Sequence, residues 1–162
     1  MVMEKSSAII AASVKTVTVL SISPIEDDHG TLQEIFRDEY RSGRGEETKW
    51  KLVTSLTLKR ALTIMGKNQI PIALCEWDLS PGTWRELLDH TAVMPHAPLV
   101  VVTSRLADER MWAEVLNLGA WDLLVKPFDQ EEVIRVVESA WRNWQGQHES
   151  LGSTHRKWRV AS

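Results

Sequence analysis

The sequence predicts an α/β protein in which five parallel strands form one open, doubly wound sheet, with helices on both faces completing three layers. Two observations carry this prediction. Five short apolar segments lack the in-and-out alternation of a half-exposed strand, and each is followed by apolar residues at helical spacing. Strands of this kind with right-handed helical crossovers form a parallel sheet, whose functional crevice lies at the carboxyl ends of its strands.

The predicted strands are rich in β-branched and aliphatic residues, as buried strands should be. They span residues 16–22, 50–53, 70–75, 98–103 and 122–125. Each is followed by an amphipathic stripe that predicts a helix. The stripes are Leu32, Ile35, Phe36 and Tyr40; Leu58, Ala61, Leu62 and Met65; Trp84, Leu87 and Leu88; Met111, Trp112, Val115 and Leu118; and Val133, Ile134, Val137, Ala140, Trp141 and Trp144.

Three helix ends have recognisable signals. Asp27 or Asp28 is expected to cap the first helix, since acids are favoured near the positive end of the helix dipole. Gly119 is expected to end the fourth helix. Asp129 and Glu132 form a capping box at the start of the fifth helix.

Composition describes an ordinary globular domain. The chain has 162 residues, 43% of them hydrophobic and 25% charged, with a net charge of -3. The mild acidity argues against nucleic acid or an anionic membrane as a partner. The single Cys75 excludes an internal disulfide and fits a reducing compartment. Because the apolar patch at residues 8–12 is too short for a signal peptide or a membrane span, we expect a cytoplasmic protein.

Several enzyme classes lack their sequence signatures. No Gly-x-Gly-x-x-Gly follows the first strand and no P-loop is present, which argues against dinucleotide and nucleotide sites. The five histidines lack cysteine partners and metal-ligand spacing, so no metal centre is expected. Ser80 and Ser104 have no histidine placed by the pattern as a base. Dinucleotide, nucleotide and metal sites and a serine nucleophile are therefore not expected.

Polar residues follow the predicted strands where the crevice should lie. Glu76 follows the third strand, Thr103 and Ser104 lie at the end of the fourth, and Lys126 follows the fifth. Because the carboxyl ends of parallel strands meet at one edge of the sheet, these side chains should lie close together. An acid, a hydroxyl and an ammonium in these places form a specific set.

With this set, the chain resembles the receiver domain of bacterial response regulators. The resemblance covers about residues 16–145. It rests on Glu76-x-x-Leu79-x-x-Gly82, on Val102-Thr103-Ser104 and on the run from Gly119 to Phe128, GAWDLLVKPF, which is the most specific piece. It implies a flavodoxin-like fold with strand order 2-1-3-4-5. It also implies a function in two-component, or phosphorelay, signal transduction. With this function we expect a protein that is not an enzyme and that carries no cofactor, Mg²⁺ being possible but disfavoured.

The resemblance assigns roles to individual residues. Glu76 occupies the position of the family's phosphoacceptor aspartate, and Thr103 and Lys126 match the residues that bind phosphoryl oxygens. The acid pair that holds Mg²⁺ in the family falls on Ser23 and Pro24, which cannot supply carboxylates. Since Mg²⁺ needs oxygen ligands, preferably carboxylates, the resemblance predicts at most a weak Mg²⁺ site.

Other positions border this pocket. Asp27, Asp78 and Ser104 are expected beside it, with Asp78 where the family places a residue that influences dephosphorylation. The switch position, aromatic in the family, falls on Leu123. The Lys126–Pro127 peptide bond is expected to be cis, as is usual in the family.

The resemblance implies protein partners, either a histidine kinase or a downstream effector. The family's output face consists of the fourth helix, fifth strand and fifth helix, and could also form a homodimer. On that face Trp112 and Trp121 are interface candidates, because tryptophan is enriched at interface anchors. The apolar spacing nevertheless places Trp112 and Trp141 towards the core, which leaves Trp121 as the better surface candidate.

Three domain segments and three functions follow. Residues 1–15 are predicted to be a tail, 16–145 a receiver domain, and 146–162 a disordered tail whose basic piece, residues 155–159, could touch RNA, a phosphate-bearing partner or an acidic protein. The leading interpretation is a stand-alone atypical receiver that binds proteins with little or no phosphorylation, with Glu76 either fixing one state through Lys126 or merely neutralising it. The alternatives are a phosphorylatable regulator and a flavodoxin-like ligand binder or enzyme.

Overall fold

The structure is a computed structural model that describes residues 14–43 and 48–161, with side chains as far as His148. Most of the predicted tail at residues 1–15 therefore lies outside the described residues. Five strands and five helices alternate along the described chain. Their bounds are β1 Lys15–Ile22, α1 Glu26–Ser42, β2 Thr48–Ser55, α2 Leu58–Lys67, β3 Ile72–Glu76, α3 Trp84–Thr91, β4 Leu99–Ser104, α4 Glu109–Asn117, β5 Asp122–Val125 and α5 Gln130–Ala161.

The five strands form one parallel sheet in the order β2-β1-β3-β4-β5. The predicted three-layer α/β fold and the flavodoxin-like strand order 2-1-3-4-5 are thus confirmed. β2 is longer than predicted because it pairs with β1 along its whole length, from Lys15 opposite Thr48 to Ile22 opposite Ser55. At the carboxyl edge Glu76 lies opposite Thr103, which brings two of the predicted site residues side by side.

Two apolar layers hold the helices to the sheet. On one face α1 and α5 cover Val19, Leu74 and Val101, and on the other α2, α3 and α4 cover Leu20 and Ala73. The strands read as continuous apolar runs because successive side chains enter opposite layers and both layers are buried. No helix in the described part of the chain is long and apolar enough to cross a membrane.

Two of the three predicted helix ends agree with the structure. Asp129 accepts a hydrogen bond from the Glu132 amide at the start of α5 (3.1 Å), and Gly119 follows α4 with φ +103°. The prediction for α1 is wrong. This helix begins after Ile25, which has no side-chain cap, and Asp28 lies inside the first turn.

The last helix does not end where the sequence suggested. Helix α5 continues to Ala161, although residues 146–162 were predicted to be a disordered tail. No proline interrupts this segment, so the backbone hydrogen bonds can continue beyond the core-facing part of the helix. The described residues do not test the predicted domain boundary after residue 145. The basic side chains of residues 155–159 lie outside the described side chains.

Candidate functional site

The predicted acid at the end of β3 is buried at the carboxyl edge of the sheet. Glu76 is only 4% exposed. Its Oε2 accepts a hydrogen bond from Thr103 Oγ1 (3.2 Å), the hydroxyl directly opposite on β4. The backbone amide of Asp78 lies 3.5 Å from its Oε1. The carboxylate is therefore turned towards the neighbouring strand and away from water.

Lys126 provides the cation that this buried acid requires. Its backbone amide donates to Ser104 O (2.9 Å), which fixes the residue just beyond the end of β5. Its ammonium forms ion pairs with Glu76 Oε2 and with Asp28 Oδ2, the latter at 2.7 Å. The Lys126 side chain is 3% exposed. The bond to Pro127 is cis, the conformation that the resemblance implied.

The second acid of this group is Asp28, which comes from the first turn of α1. Its Oδ2 accepts hydrogen bonds from the Lys126 ammonium (2.7 Å) and from the Ser23 hydroxyl (2.8 Å). Ser23 Oγ in turn accepts a hydrogen bond from the Ile25 amide (3.1 Å). The three charged residues Glu76, Asp28 and Lys126, named here the buried triad, thus join β3, α1 and the end of β5.

Beside the triad lies a histidine that sequence reasoning left unassigned. His29 is buried, its Nε2 donates to the Ser23 carbonyl (3.0 Å), and its Nδ1 shares a hydrogen bond with Ser21 Oγ (2.9 Å). The Ser23 carbonyl can only accept, so Nε2 carries a proton. His29 therefore braces the backbone of the residue whose hydroxyl contacts Asp28.

The electrostatics of the triad follow from two carboxylates that share one ammonium. Charge-assisted hydrogen bonds of this kind are among the strongest in proteins. The remaining negative charge is stabilised by hydroxyl donors, Ser23 on Asp28 and Thr103 on Glu76. A buried charge without such partners is costly, so each member depends on the others.

The family to which the resemblance points uses Mg²⁺ at this place. In the described structure, the residues present do not fit that ion. The oxygens that face one another, Asp28 Oδ2 and Glu76 Oε2, both contact the Lys126 ammonium, and the Ser23 hydroxyl donates to the first of them. Among the described residues no three His, Cys, Asp or Glu side chains are grouped to hold a metal. The position between the carboxylates is occupied by the protein's own cation.

The other predicted pocket residues divide into two groups. Ser104 is buried and accepts a hydrogen bond from the Leu106 amide (3.1 Å), and Leu123, which the resemblance aligned with the switch position, is buried in the layer under α4. Pro24, Asp27 and Asp78 are exposed. Asp27 was expected beside the pocket, and it is the next residue, Asp28, whose side chain is buried there and contacts Lys126.

The cysteine that precedes Glu76 is shielded from solution chemistry. Cys75 is fully buried in the layer under α2 and α3. Burial, and to a smaller extent the Glu76 charge, raises the pKa of its thiol to about 12. The thiolate is the reactive form of cysteine, and a thiol with this raised pKa stays protonated near neutral pH. Cys75 therefore serves as a packing side chain.

The tryptophans on and near α4, β5 and α5 are arranged differently from the prediction. Trp112 is 50% exposed, and its Nε1 donates to Asp122 Oδ1 (3.2 Å). Trp121 and Trp141 are partly buried against the core layer of α1 and α5. The better surface candidate is therefore Trp112, because it lies one residue after the inward-facing Met111.

Comparison with known proteins supports the architecture. No protein-family model and no curated protein matches the sequence. Among solved structures, the chemotaxis response regulator CheY4 of Vibrio cholerae is 14% identical, with 78% of this chain and 99% of that one covered and a TM-score of 0.65. The receiver domain of the Francisella response regulator 1452 is 23% identical, with 78% of this chain and 98% of that one covered and a TM-score of 0.61. The beryllofluoride-activated NtrC4 receiver domain dimer is 18% identical, with 78% of this chain and 98% of that one covered and a TM-score of 0.67. The chain therefore has the fold of the receiver domains of response regulators.

Proposed function

We propose that this chain is a divergent receiver module of two-component signalling, which holds one state without phosphoryl transfer and acts by binding other proteins. The observation that carries the proposal is the Lys126 ammonium between Glu76 and Asp28. In the family, the corresponding ammonium and the hydroxyl at the Thr103 position bind a transferred phosphoryl group. Here both groups already bind the side chain at the phosphoacceptor position.

Phosphoryl transfer depends on positioning and on neutralising the charge of the transferred oxygens. For Glu76 to accept a phosphoryl group, it would have to release Thr103 and Lys126. Asp28 would then have to hold a metal ion as well as the ammonium. The longer side chain also displaces the attacking oxygen, and a misplacement of about 1 Å can reduce a rate by about 100-fold. These features favour a site that does not cycle.

The glutamate also offers a partial substitute for a phosphorylated aspartate. Its carboxylate extends one methylene further and receives the two contacts that a phosphoryl group would receive. It carries one negative charge, whereas a phosphoryl group carries nearly two. We infer that Glu76 keeps the neighbouring end of β4 in a fixed, signal-independent conformation through Thr103.

The face formed by α4, β5 and α5 is the proposed interaction surface. Trp112 on α4, Leu118 just after it and Val125 at the end of β5 are exposed apolar side chains, and Leu106 is exposed in the loop before α4. The hydrogen bond from Trp112 to Asp122 orients the indole, so that little side-chain entropy is lost when a partner covers it. A protein partner, such as a kinase, an effector or a second copy of this chain, fits this surface better than nucleic acid does, since the net charge is -3.

Phosphorylation is the first test. The protein is incubated with acetyl phosphate and Mg²⁺ and analysed by intact mass, beside a receiver domain that is known to be labelled under the same conditions. We expect no adduct on this chain. A phosphate adduct that maps to Glu76 or Asp78 would falsify the proposal and support a phosphorylatable regulator.

Partner capture from the native host is the second test, with three baits. The wild type should retain a reproducible protein partner, Trp112→Ala should lose it, and Glu76→Gln should weaken it because the amide lacks the charge that Lys126 binds. Lys59→Ala, at an exposed position on α2, serves as a control that should behave like the wild type. Unchanged capture by Glu76→Gln would show that the triad does not set the binding state.

A further inference from the structure

A cleft of about 350 Å³ lies at the edge of the sheet opposite the buried triad. It opens where β3 and β4 begin, between the end of α2 and the loop that leads into β4. Its walls include Met65, Gln69, Ile70, Met94, His96 and Pro98. No Lys, Arg, Asp or Glu of the described chain lines it. Its volume suits a small molecule, and its walls are mainly apolar with a few polar groups, as in other ligand sites.

One wall of this cleft continues into a row of stacked rings. The row, named here the aromatic column, consists of Trp141, Trp144, His148 and His96, with ring centroids 5.6, 3.6 and 4.7 Å apart in that order. Interplanar angles of 17° to 29° make each contact a stack. His96 is therefore the last ring of the column and also a wall of the cleft.

The column is held in place from both sides. Trp144 Nε1 donates to the Ala97 carbonyl (3.1 Å), which ties α5 to the loop before β4. His148 Nδ1 donates to the Trp144 carbonyl (2.8 Å), which fixes the plane of its ring. His96 itself has a left-handed backbone with φ +57°, a conformation that non-glycine residues adopt seldom and at some cost. The cleft thus presents an oriented ring rather than a free surface side chain.

We propose that this cleft binds a neutral, planar heteroaromatic molecule of about the size of a nucleobase, stacked on His96. Planarity follows from the column, because a flat ring extends an existing stack. Neutrality follows because among the described residues no Lys, Arg, Asp or Glu lines the cleft, so that a charged group would lose its water without gaining an ion pair with one of these side chains. The sulfur atoms of Met65 and Met94 suit contact with an aromatic ring, and the Gln69 amide can hydrogen-bond to ring nitrogens. The proposal does not depend on the function proposed above.

The test uses adenine as the planar probe and cyclohexanol as a neutral, non-planar one, with methionine-methyl NMR as the readout. The chain has five methionines, of which Met65 and Met94 line the cleft and Met111 lies on α4. We expect adenine to shift the Met65 and Met94 methyl signals saturably, with a Kd of about 1 mM or tighter, and to leave Met111 unchanged. Cyclohexanol should cause shifts that do not saturate in this range.

Two substitutions of His96 distinguish binding that depends on stacking against this ring from binding that needs only the cavity. His96→Gly suits the left-handed backbone but removes the ring, and should weaken adenine binding about tenfold. His96→Phe keeps a ring and should bind within about threefold of the wild type, since stacking is the main contribution. Unchanged Met111 signals verify the fold of both variants. No saturable shift with adenine, equal binding of cyclohexanol, or full affinity in His96→Gly would each overturn the proposal.

Discussion

Replacing Lys126 by methionine should reveal how strongly the buried triad depends on its cation. Methionine keeps most of the apolar stem, so the change removes mainly the charge. Two carboxylates, on Glu76 and Asp28, would then share a site in which the lysine side chain is 3% exposed. Removing one partner of a buried ion pair costs about 3–5 kcal/mol. In a chain of this length, that loss lowers Tm by about 6 to 20 °C.

The loss is measured by urea unfolding at pH 7.5, followed by tryptophan fluorescence and by circular dichroism. Lys59→Met, at an exposed position on α2, is the matched control and should change the stability by less than about 0.5 kcal/mol. Adding Glu76→Gln and Asp28→Asn to Lys126→Met should recover part of the loss, because no unpaired charge remains. A cost below about 1 kcal/mol for Lys126→Met would refute the reasoning, since it would mean that water solvates the triad.

Three further outcomes are expected. Cys75, whose pKa is raised to about 12 from 9.0, should resist a thiol reagent at pH 8 until the protein unfolds, and rapid labelling of the native protein would contradict this. The contribution of this thiol to stability should be full below pH 9 and fall as the pH rises towards 12. Gly82→Ala should lower the free energy of unfolding by about 2 kcal/mol in a denaturant titration, because φ is +88° and the new Cβ would lie 2.7 Å from Leu58 Cδ2. Gly30→Ala in α1, where no atom of the described residues lies near the new Cβ, should instead stabilise the protein by about 0.5–1 kcal/mol. Thr103→Val should cost about 1–3 kcal/mol because a buried carboxylate loses a donor, and a neutral result would show that the hydroxyl is dispensable.

The fold could be predicted from the sequence because the pattern of an apolar strand followed by an amphipathic helix is repeated five times. Each of the five strands is an apolar run between helical stripes, so an error in one element leaves the alternation intact. Pairing explains the differences in strand bounds. Strand β2, for example, extends from Thr48 to Ser55 because β1 offers it partners along eight residues. That length depends on a contact between distant segments, which a local pattern does not contain.

The site was only partly accessible. Glu76, Thr103 and Lys126 were expected at one edge of the sheet, and the structure brings them together. Asp28 was missed in favour of Asp27, although a signal existed. Asp28 precedes Leu32 by four residues and therefore belongs to the buried stripe of α1, while its neighbour is turned about 100° away.

The tryptophans were harder to assign for a physical reason. In α4, Trp112 lies three residues before Val115 and Met111 lies four residues before it, so either could face the core with Val115. Packing against the sheet turned Met111 inward and left Trp112 to the surface. Side-chain choice between two adjacent apolar positions is decided by tertiary contacts, which periodicity alone does not specify.

The buried triad has a consequence for how this domain opens. Asp28 and Lys126 are 98 residues apart, and Glu76 lies between them in the chain, so one ammonium joins the first, third and fifth βα units. None of these units can unfold by itself without leaving a carboxylate or the ammonium unpaired in a buried place. Local opening at this edge is therefore cooperative, and amides near the ends of β1, β3 and β5 should exchange with solvent at a common rate. The buried triad would then be the contact that makes the domain a single unit of stability.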